Sequence, residues 1–540
     1  MERPSIPFEA GRCDAAASTE RAAGRWLVAL VAVGILARVL RYGLTFALWE
    51  DEAFLVVNLF EKGYASLLGP LDFVQLAPPL WLFAEKGVAE LLGFSESSLR
   101  LVALVSSLGS LALFVVLVRR VLEGWEATIA AGMLAVAYPC VRYAAEAKPY
   151  GVDLLVSVAL LLAAVRLADE PRPARWLLLG GLLAVGPWLS FPSVFVGGGV
   201  SLVGLLRALG ATPGRRAAAG APWIAAGLLH GLSFAAVRAC ISGAVASTLP
   251  GMQRFWGDAF PPFATPLSIP SWLLASLTGP LLAFPVGGAA PASVATTVAV
   301  CAGAVGLARS SRCRLLALCT LPFALHLAAA SLHGYPFGGH VKLSLYAAPL
   351  VSILAAASLS LFTTRRPRPA GRANLGGSVV AALLVVVGLG VVARDLLWPY
   401  KNPSDEEARS FARRFWNDAA SGAEAVCLSS DLGISFQPEL RSRLSWFATY
   451  RANQILYSPR HRCRDTARGG RSAAGRSLLV VEYRVGAFGY DEAGLRRWLE
   501  ETGKERELVE ERRIPVRRCD PRGRRLVATD EIVLRRFVPR

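Results

Sequence analysis

Three consecutive acids, Glu50, Asp51 and Glu52, directly follow an apolar run long enough to cross a membrane. The hydropathy pattern assigns to the same side of the membrane four cationic or titratable side chains, which are Arg142, Lys148, His340 and Lys342. A carboxylate can take the proton of a hydroxyl, and ammonium or guanidinium groups can stabilise a departing phosphate. The set therefore indicates displacement of a phosphate at the depth of the lipid headgroups.

Further polar residues accompany these groups, and they could bind or orient a substrate: Gln75, Glu146, Tyr150 and Asp153. Asp153 lies about one turn inside an apolar run, where a carboxylate is costly unless it faces protein or water. Each residue taken singly has another explanation, because loop acids are solvated and Lys148 and Lys342 could snorkel to headgroups. Arg142 could likewise be an interface anchor. Only their convergence on one face indicates a site.

The composition is that of a membrane protein. Of the 540 residues, 54% are hydrophobic and only 18% are charged. The net charge of +18 is carried by arginines in short clusters between apolar runs, which fits membrane orientation signals and argues against a nucleic-acid partner. The nine cysteines include no Cys-x-x-Cys pair, so a zinc or redox site of that type is excluded.

The apolar runs predict an α-helical polytopic membrane protein with about eleven spans. The runs cover residues 26–48, 101–118, 124–141, 149–167, 176–191, 193–206, 218–239, 293–308, 314–331, 343–363 and 376–394. The positive-inside rule puts residues 1–25 in the cytoplasm and the C-terminus outside, provided that residues 271–285 form a re-entrant or interfacial helix. The predicted location is the inner membrane of a bacterium.

The pattern divides the chain into a membrane domain, residues 26–396, and a soluble periplasmic α/β domain, residues 397–540. The first outer loop, residues 49–98, contains two amphipathic segments, and a second outer loop covers residues 240–292. In the tail, Ser404 is predicted to cap a helix, residues 477–483 and 531–538 to form strands, and residues 491–501 to form a helix. One disulfide among Cys427, Cys463 and Cys519 is compatible with the compartment, with the pairing left open.

Three segments in order resemble a known family. They are "DE" after the first run, "QLAPPLWLFAEKGVAELLGF" and "YAAEAKPYGVDLLVSVALLLA". This order is similar to that of the GT-C membrane glycosyltransferases of the protein O-mannosyltransferase and aminoarabinose-transferase group. The resemblance covers residues 26–210 and is weaker to about residue 395, where "GYPFGGHVKLSLYAAPL" resembles a later outer-loop motif.

The resemblance implies an inverting transfer of a sugar from a polyprenyl-phosphate donor to a lipid, glycan or protein acceptor. It implies Asp51 as the general base and Glu52 as its partner. The chain departs from the family at Ala77, where many relatives have His or Lys, and at His340, where Arg is frequent. The Arg-Pro-Tyr sequence that is usual in the family begins with Lys148 instead of Arg in this chain. The positive charge is kept, but the guanidinium that could form two parallel hydrogen bonds with a phosphate is lost. We therefore expect the donor phosphate to be bound by Lys148, Arg142, Lys342 and His340.

No cofactor is required by the sequence. Carboxylates and His340 could supply ligands for a divalent metal, but no ligand spacing demands one.

Two other functions remain open at this stage. A lipid-linked glycan transporter would need polar residues throughout the bilayer depth, whereas these runs are mostly apolar in their inner halves, with His230 the main exception. A glycan polymerase would share the outer face and use a lipid-linked oligosaccharide donor.

Overall fold

The computed structural model describes residues 10–285, 291–363, 370–397, 403–418, 424–428, 441–457, 477–484, 492–519 and 526–540. Its first ten helices are α1 (Ala10–Gly43), α2 (Glu50–Glu61), α3 (Pro79–Leu92), α4 (Ser98–Val121), α5 (Gly124–Val136), α6 (Tyr138–Arg142), α7 (Tyr150–Asp169), α8 (Pro173–Leu189), α9 (Ser193–Leu209) and α10 (Arg216–Cys240). They are followed by α11 (Ser242–Phe255), α12 (Ile269–Ser276), α13 (Pro291–Arg309), α14 (Cys313–Ser331), α15 (Ala348–Ala357), α16 (Ser360–Thr363) and α17 (Ala370–Leu397).

Helices fill the predicted apolar runs, so the helical fold class is confirmed. Within the described residues, five helices are long and apolar enough to cross a membrane, or six if α5 and its continuation are one bent span. Three of the other apolar helices are shorter than a typical span. The first predicted run extended too far, because α1 ends at Gly43 and residues 45–49 are not helical.

The bend after α5 has a local cause. The chain turns by 50° between Gly124–Val136 and Tyr138–Ala145. Pro139 has no N–H to donate to the carbonyl of Ala135, four residues before it. The buried guanidinium of Arg38 instead donates to Ala135 O at 2.6 Å and to Leu134 O at 3.2 Å. Arg38 thereby satisfies the freed carbonyls inside the apolar core.

The segment predicted to be the first outer loop, residues 49–98, contains helices α2 and α3. Helices α2 and α3 are joined through two short 3₁₀ turns, and Glu50, Asp51 and Glu52 form the first turn of α2. Acids at this position are stabilised by the partial positive charge of the helix N-terminus. Trp49 N–H donates to Glu52 at 3.2 Å, which fixes the start of the helix. Within residues 240–292, α12 has 8 residues and continues into a π-helical turn, Leu277–Leu281.

The C-terminal part contains α18 (Pro403–Asp418), α19 (Arg441–Tyr457) and α20 (Glu492–Glu505), with a four-stranded sheet in the order β1-β2-β4-β3. The strands are β1 (Glu424–Leu428), β2 (Leu478–Arg484), β3 (Arg506–Cys519) and β4 (Leu526–Pro539). β1 and β2 are parallel, and the other pairings are antiparallel. The two predicted strands and both predicted helices are therefore present.

Three details of the tail differ from the prediction or are not covered by it. Ser404 lies inside α18, which begins at Pro403, a residue favoured in the first turn of a helix. Neither β1 nor β3 was predicted. In β3, the many arginines obscure the alternation of apolar and polar residues that indicates a strand. Cys463 lies outside the described residues, so the disulfide stays untested.

The tail contacts the membrane domain at the helix that contains Asp51. α19 packs against α2, and Ala452 and Ile455 of α19 belong to the main hydrophobic core. Arg451 forms an ion pair with Glu61 at the end of α2. Helix α19 of the C-terminal part therefore packs directly on the helix that contains Asp51.

Candidate active site

Asp51 is held between two lysines from distant parts of the sequence. Lys342 Nζ donates to Asp51 Oδ2 at 2.7 Å, and Lys148 Nζ lies 3.2 Å from Asp51 Oδ1. Burial alone would raise the pKa of Asp51, but the two ammonium groups and their hydrogen bonds outweigh it and hold that pKa below its ordinary value. Asp51 is therefore ionised at neutral pH.

Lys148 is fixed by its surroundings before α7 begins. It is 4% exposed, and its ammonium also donates to Gln75 Oε1 at 2.9 Å. Burial lowers the pKa of Lys148, and the charge of Lys342 lowers it further, while Asp51 offsets part of this. The structure thus brings four predicted residues into one cluster: Gln75, Asp51, Lys148 and Lys342.

A turn at Gly338 and Gly339, called the glycine turn below, places Lys342 in this cluster. Gly338 and Gly339 have φ of +90° and +73°, and a Cβ on Gly339 would lie 2.9 Å from the Trp256 ring. Only glycine adopts this conformation without strain at such a close approach. Lys342 Nζ then lies 5.9 Å from the ring centroids of both Trp49 and Trp256, where cation–π attraction supports it. His340 accepts the backbone N–H of Lys342 at 3.2 Å.

Glu52 points away from this cluster. Its carboxylate accepts two hydrogen bonds of 2.7 Å from the Nε and Nη2 of Arg100 and one of 2.9 Å from Ala147 N–H. Glu52 is fully buried, and Arg100 is 2% exposed. Arg100 also donates to the carbonyls of Phe46 and Ala47. This buried pair ties the start of α2 to α4.

Arg142 and Glu146 form a second buried pair beside it. Arg142 Nε donates to Glu146 Oε1 at 2.9 Å, and Trp49 Nε1 donates to Glu146 Oε2 at 3.1 Å. The Arg142 guanidinium lies 5.1 Å from the centroid of the Trp49 ring. Neither Arg142 nor Glu146 lines the cavity described next, so the structure does not bring them together with the lysines.

One cavity of about 1020 Å³ contains the cluster at its polar end. Eight of the predicted or neighbouring polar residues line it, which are Glu50, Asp51, Gln75, Lys148, Tyr150, Asp153, His340 and Lys342. Its remaining wall includes apolar or small residues of α9, α10 and α14, among them Val194, Gly198, Gly227, Gly231, Phe234, Leu325 and Ala328. A charged pocket is thus continuous with an apolar groove between transmembrane helices.

Asp153 and Tyr150 face this cavity from the first turns of α7. Asp153 is 5% exposed, and its Oδ1 has no hydrogen-bond partner within the described part of the chain. The Tyr150 ring packs edge-on against Tyr143, with centroids 4.9 Å apart. A buried carboxylate oxygen at the cavity wall can accept a hydrogen bond from a bound hydroxyl.

Sequence reasoning did not find several residues that hold the site in place. Arg100 is one of them, and an arginine at the start of an apolar run could have suggested a pairing with the acids that follow the first run. His326 was not singled out, yet its Nε2 is 2.8 Å from Pro336 O and its Nδ1 is 2.8 Å from Tyr346 Oη. Because Pro336 precedes the glycine turn, His326 holds the segment that contains Lys342.

Metal ligands are not gathered at this site. Over the described ranges, no three His, Cys, Asp or Glu side chains are arranged to hold a metal ion.

Part of the chain is similar to a known protein family. Residues 76–239, less than a third of the chain, match the family of dolichyl-phosphate-mannose-protein mannosyltransferases. No curated protein matches the chain.

Solved structures share its fold at low sequence identity. The fold is similar to that of apo ArnT from Cupriavidus metallidurans, with a TM-score of 0.51 and 11% identity, over 95% of this chain and 98% of that one. The same protein bound to undecaprenyl phosphate gives a TM-score of 0.46 and 11% identity, over 94% and 98%. The apo oligosaccharyltransferase of Archaeoglobus fulgidus gives 0.44 and 11%, over 79% of this chain and 64% of that one. This chain thus spans less than two thirds of the archaeal protein. This chain is thus similar to dolichyl-phosphate-mannose-protein mannosyltransferases over residues 76–239, and its fold is similar to that of ArnT.

Proposed function

We propose that this protein transfers a sugar from a polyprenyl-phosphate donor to an acceptor hydroxyl, with inversion at the anomeric carbon. The observation that carries the proposal is the cavity in which Asp51, Lys148 and Lys342 meet an apolar groove between α9, α10 and α14. A polyprenyl chain needs such a groove, and its phosphate needs cations at the end of it. The matched family is itself named for a lipid-phosphate sugar donor.

The proposed reaction is a single displacement. Asp51 takes the proton of the acceptor hydroxyl, whose oxygen attacks the anomeric carbon from the side opposite the phosphate. The bond between the anomeric carbon and the phosphate oxygen breaks, and the electron pair stays on the polyprenyl phosphate. Lys148 and Lys342 stabilise the negative charge that the leaving phosphate gains. No general acid is needed, because the phosphate leaves as a weak base.

The remaining predicted residues divide into two groups in this proposal. Gln75, Tyr150, Asp153 and His340 line the cavity and would contact the donor's sugar or phosphate. Glu52, Arg142 and Glu146 are buried in ion pairs outside it and would act by positioning Trp49 and the first turn of α2. The role of Glu52 is thus that of a positioning residue, and Arg142 is not a phosphate ligand.

We further propose that the reaction takes place at the outer face of a bacterial inner membrane. The basic clusters between apolar helices favour this orientation, with the cavity's polar end outside. The contact between α19 and α2 supports a C-terminal domain on that side. The acceptor is a lipid, glycan or protein hydroxyl that reaches Asp51 from the outer side.

The direct test is transfer of a labelled sugar from a polyprenyl-phosphate donor by membranes that contain Asp51→Asn. Removing a general base lowers rates by roughly 10²- to 10⁴-fold. Glu50→Gln is the matched control, since it neutralises the neighbouring acid of the same helix turn and should keep most of the activity. Undiminished transfer by a folded Asp51→Asn variant would rule out Asp51 as the base.

A further inference from the structure

Asp51 and a donor phosphate would need the same two cations. Each carboxylate oxygen of Asp51 already contacts one ammonium, Lys342 on Oδ2 and Lys148 on Oδ1. A carboxylate and a phosphate both present pairs of oxygens that the same kind of cationic group recognises. Lys148, Lys342 and His340 are the predicted phosphate ligands that line the described part of the cavity. Of these three, Lys148 and Lys342 form ion pairs with an acid, and that acid is Asp51.

The present arrangement is unfavourable for proton transfer. An ion pair with two ammonium groups keeps the pKa of Asp51 low, so its carboxylate is a weak proton acceptor while both contacts persist. A base works best when its pKa lies near the operating pH. Lysine has a flexible stem and can move its charge between neighbouring anions, unlike the planar fork of arginine.

We propose that the donor phosphate draws Lys148 and Lys342 away from Asp51, so that the base becomes competent only after the donor has bound. This inference rests on the proposed function and adds an order of events to it. As the bond to the sugar breaks, the phosphate gains a second negative charge and holds the lysines more strongly. Asp51, released from them, takes the acceptor's proton in the same step.

The neighbouring contacts fit an exchange of this kind. Gln75 Oε1 accepts from Lys148 and can hold its ammonium beside the cavity after the Asp51 contact is lost. Lys342 lies between the Trp49 and Trp256 rings, which would keep its ammonium at the cavity wall. Glu52 stays paired with Arg100, so the helix that contains Asp51 need not move. The exchange therefore requires rotation of two side chains only.

Competition between Asp51 and the donor phosphate for the two lysines can be tested by measuring ligand binding alone, without sugar transfer. The probe is undecaprenyl phosphate, which has the lipid and the phosphate but no sugar, with the full chain in lipid nanodiscs. Asp51→Asn should bind it at least fivefold more tightly than the wild type, because the lysines no longer have to leave a carboxylate. Glu50→Gln removes an acid that lines the same cavity while Asp51 remains to contact both lysines, and it should change the affinity less than twofold.

A background that lacks the lysines separates competition from simple charge repulsion. In Lys148→Met/Lys342→Met, adding Asp51→Asn should tighten binding no more than adding Glu50→Gln does. Should Asp51→Asn fold poorly, as judged by thermal unfolding, Asp51→Ser releases the same cations and serves instead.

The outcomes distinguish this inference from the proposed function. Equal effects of Asp51→Asn and Glu50→Gln, or tightening that persists without the lysines, would overturn the exchange but leave the donor site intact. If the wild type bound undecaprenyl phosphate no better than undecaprenol, the proposed function itself would fail.

Discussion

Glu52→Gln should destabilise the fold far more than Asp51→Asn, although the two acids are neighbours. Glu52 and Arg100 have side-chain exposures of 0% and 2% and share two hydrogen bonds of 2.7 Å. Removing one partner of such a pair leaves an uncompensated buried charge, which costs about 3–5 kcal/mol. The side chain of Asp51 is 17% exposed at the cavity wall, and Lys148 keeps its hydrogen bond to Gln75 when Asp51 is replaced, so loss of the Asp51 charge should cost less than loss of the Glu52 charge.

The free energy of unfolding can be measured for both variants in mixed detergent micelles, with transfer activity measured in parallel. We expect Asp51→Asn to be folded and inactive, and Glu52→Gln to unfold first and to keep some activity where it is still folded. Glu52→Gln/Arg100→Met removes both charges and should lose less stability than the sum of the single variants. It should not reach the wild type, because the carbonyls of Phe46 and Ala47 lose their donor. Equal destabilisation by Asp51→Asn and Glu52→Gln would refute the assignment of separate roles.

Four further outcomes are expected. Transfer should persist after treatment with a chelator, because Asp51 and Glu52 are already neutralised by cationic side chains; loss of activity that Mn²⁺ restores would contradict this. His326→Phe should slow transfer by roughly fivefold through a looser glycine turn, since one lost hydrogen bond of about 1 kcal/mol corresponds to about that factor, and Tyr346→Phe should have a smaller effect. Gly231→Leu should weaken binding of undecaprenyl phosphate by filling the groove, as a Cβ there meets no atom within 4 Å, whereas Gly181→Leu on α8, outside the cavity, should bind normally. The Asp51 pairs stabilise the ionised carboxylate, so the stability difference between the wild type and Asp51→Asn should be constant at neutral pH and shrink only as the pH falls below the ordinary pKa of 3.8.

The membrane helices and the polar cluster could be predicted from the sequence because both depend on strong local signals. A run of twenty apolar residues has few alternatives to a helix in a bilayer, and acids or lysines at its end are visible without a structure. Asp51, Lys148 and Lys342 are all charged residues near the ends of such apolar runs. The contacts of both lysines with Asp51, at 3.2 Å and 2.7 Å, were not predictable, since residues 51 and 342 are far apart in the chain.

The sequence did not show in which direction each of these side chains points. Asp51 and Glu52 are adjacent and chemically alike, but successive residues of a helix point about 100° apart. Asp51 therefore faces the cavity, while Glu52 faces Arg100 in the core. Arg142 and Lys148 are separated in the same way, because the chain bends after α5 and the short helix α6 turns Arg142 towards Glu146. The spacing of four residues is compatible with that pair, but it does not show how far the pair lies from the cavity.

The acids at the start of α2 thus have different roles. All three gain from the helix N-terminus, which explains why a cluster of like charge is tolerated there. Glu52 then fixes the helix to the core through Arg100, and this rigid support lets Asp51 be placed within reach of two lysines from other loops. Because each lysine comes from a different segment, the Asp51 cluster forms only when α2, the segment before α7 and the glycine turn are all folded. A base assembled in this way depends on the packing of several segments at one end of the helical bundle, so the α19 contact with α2 also bears on the site.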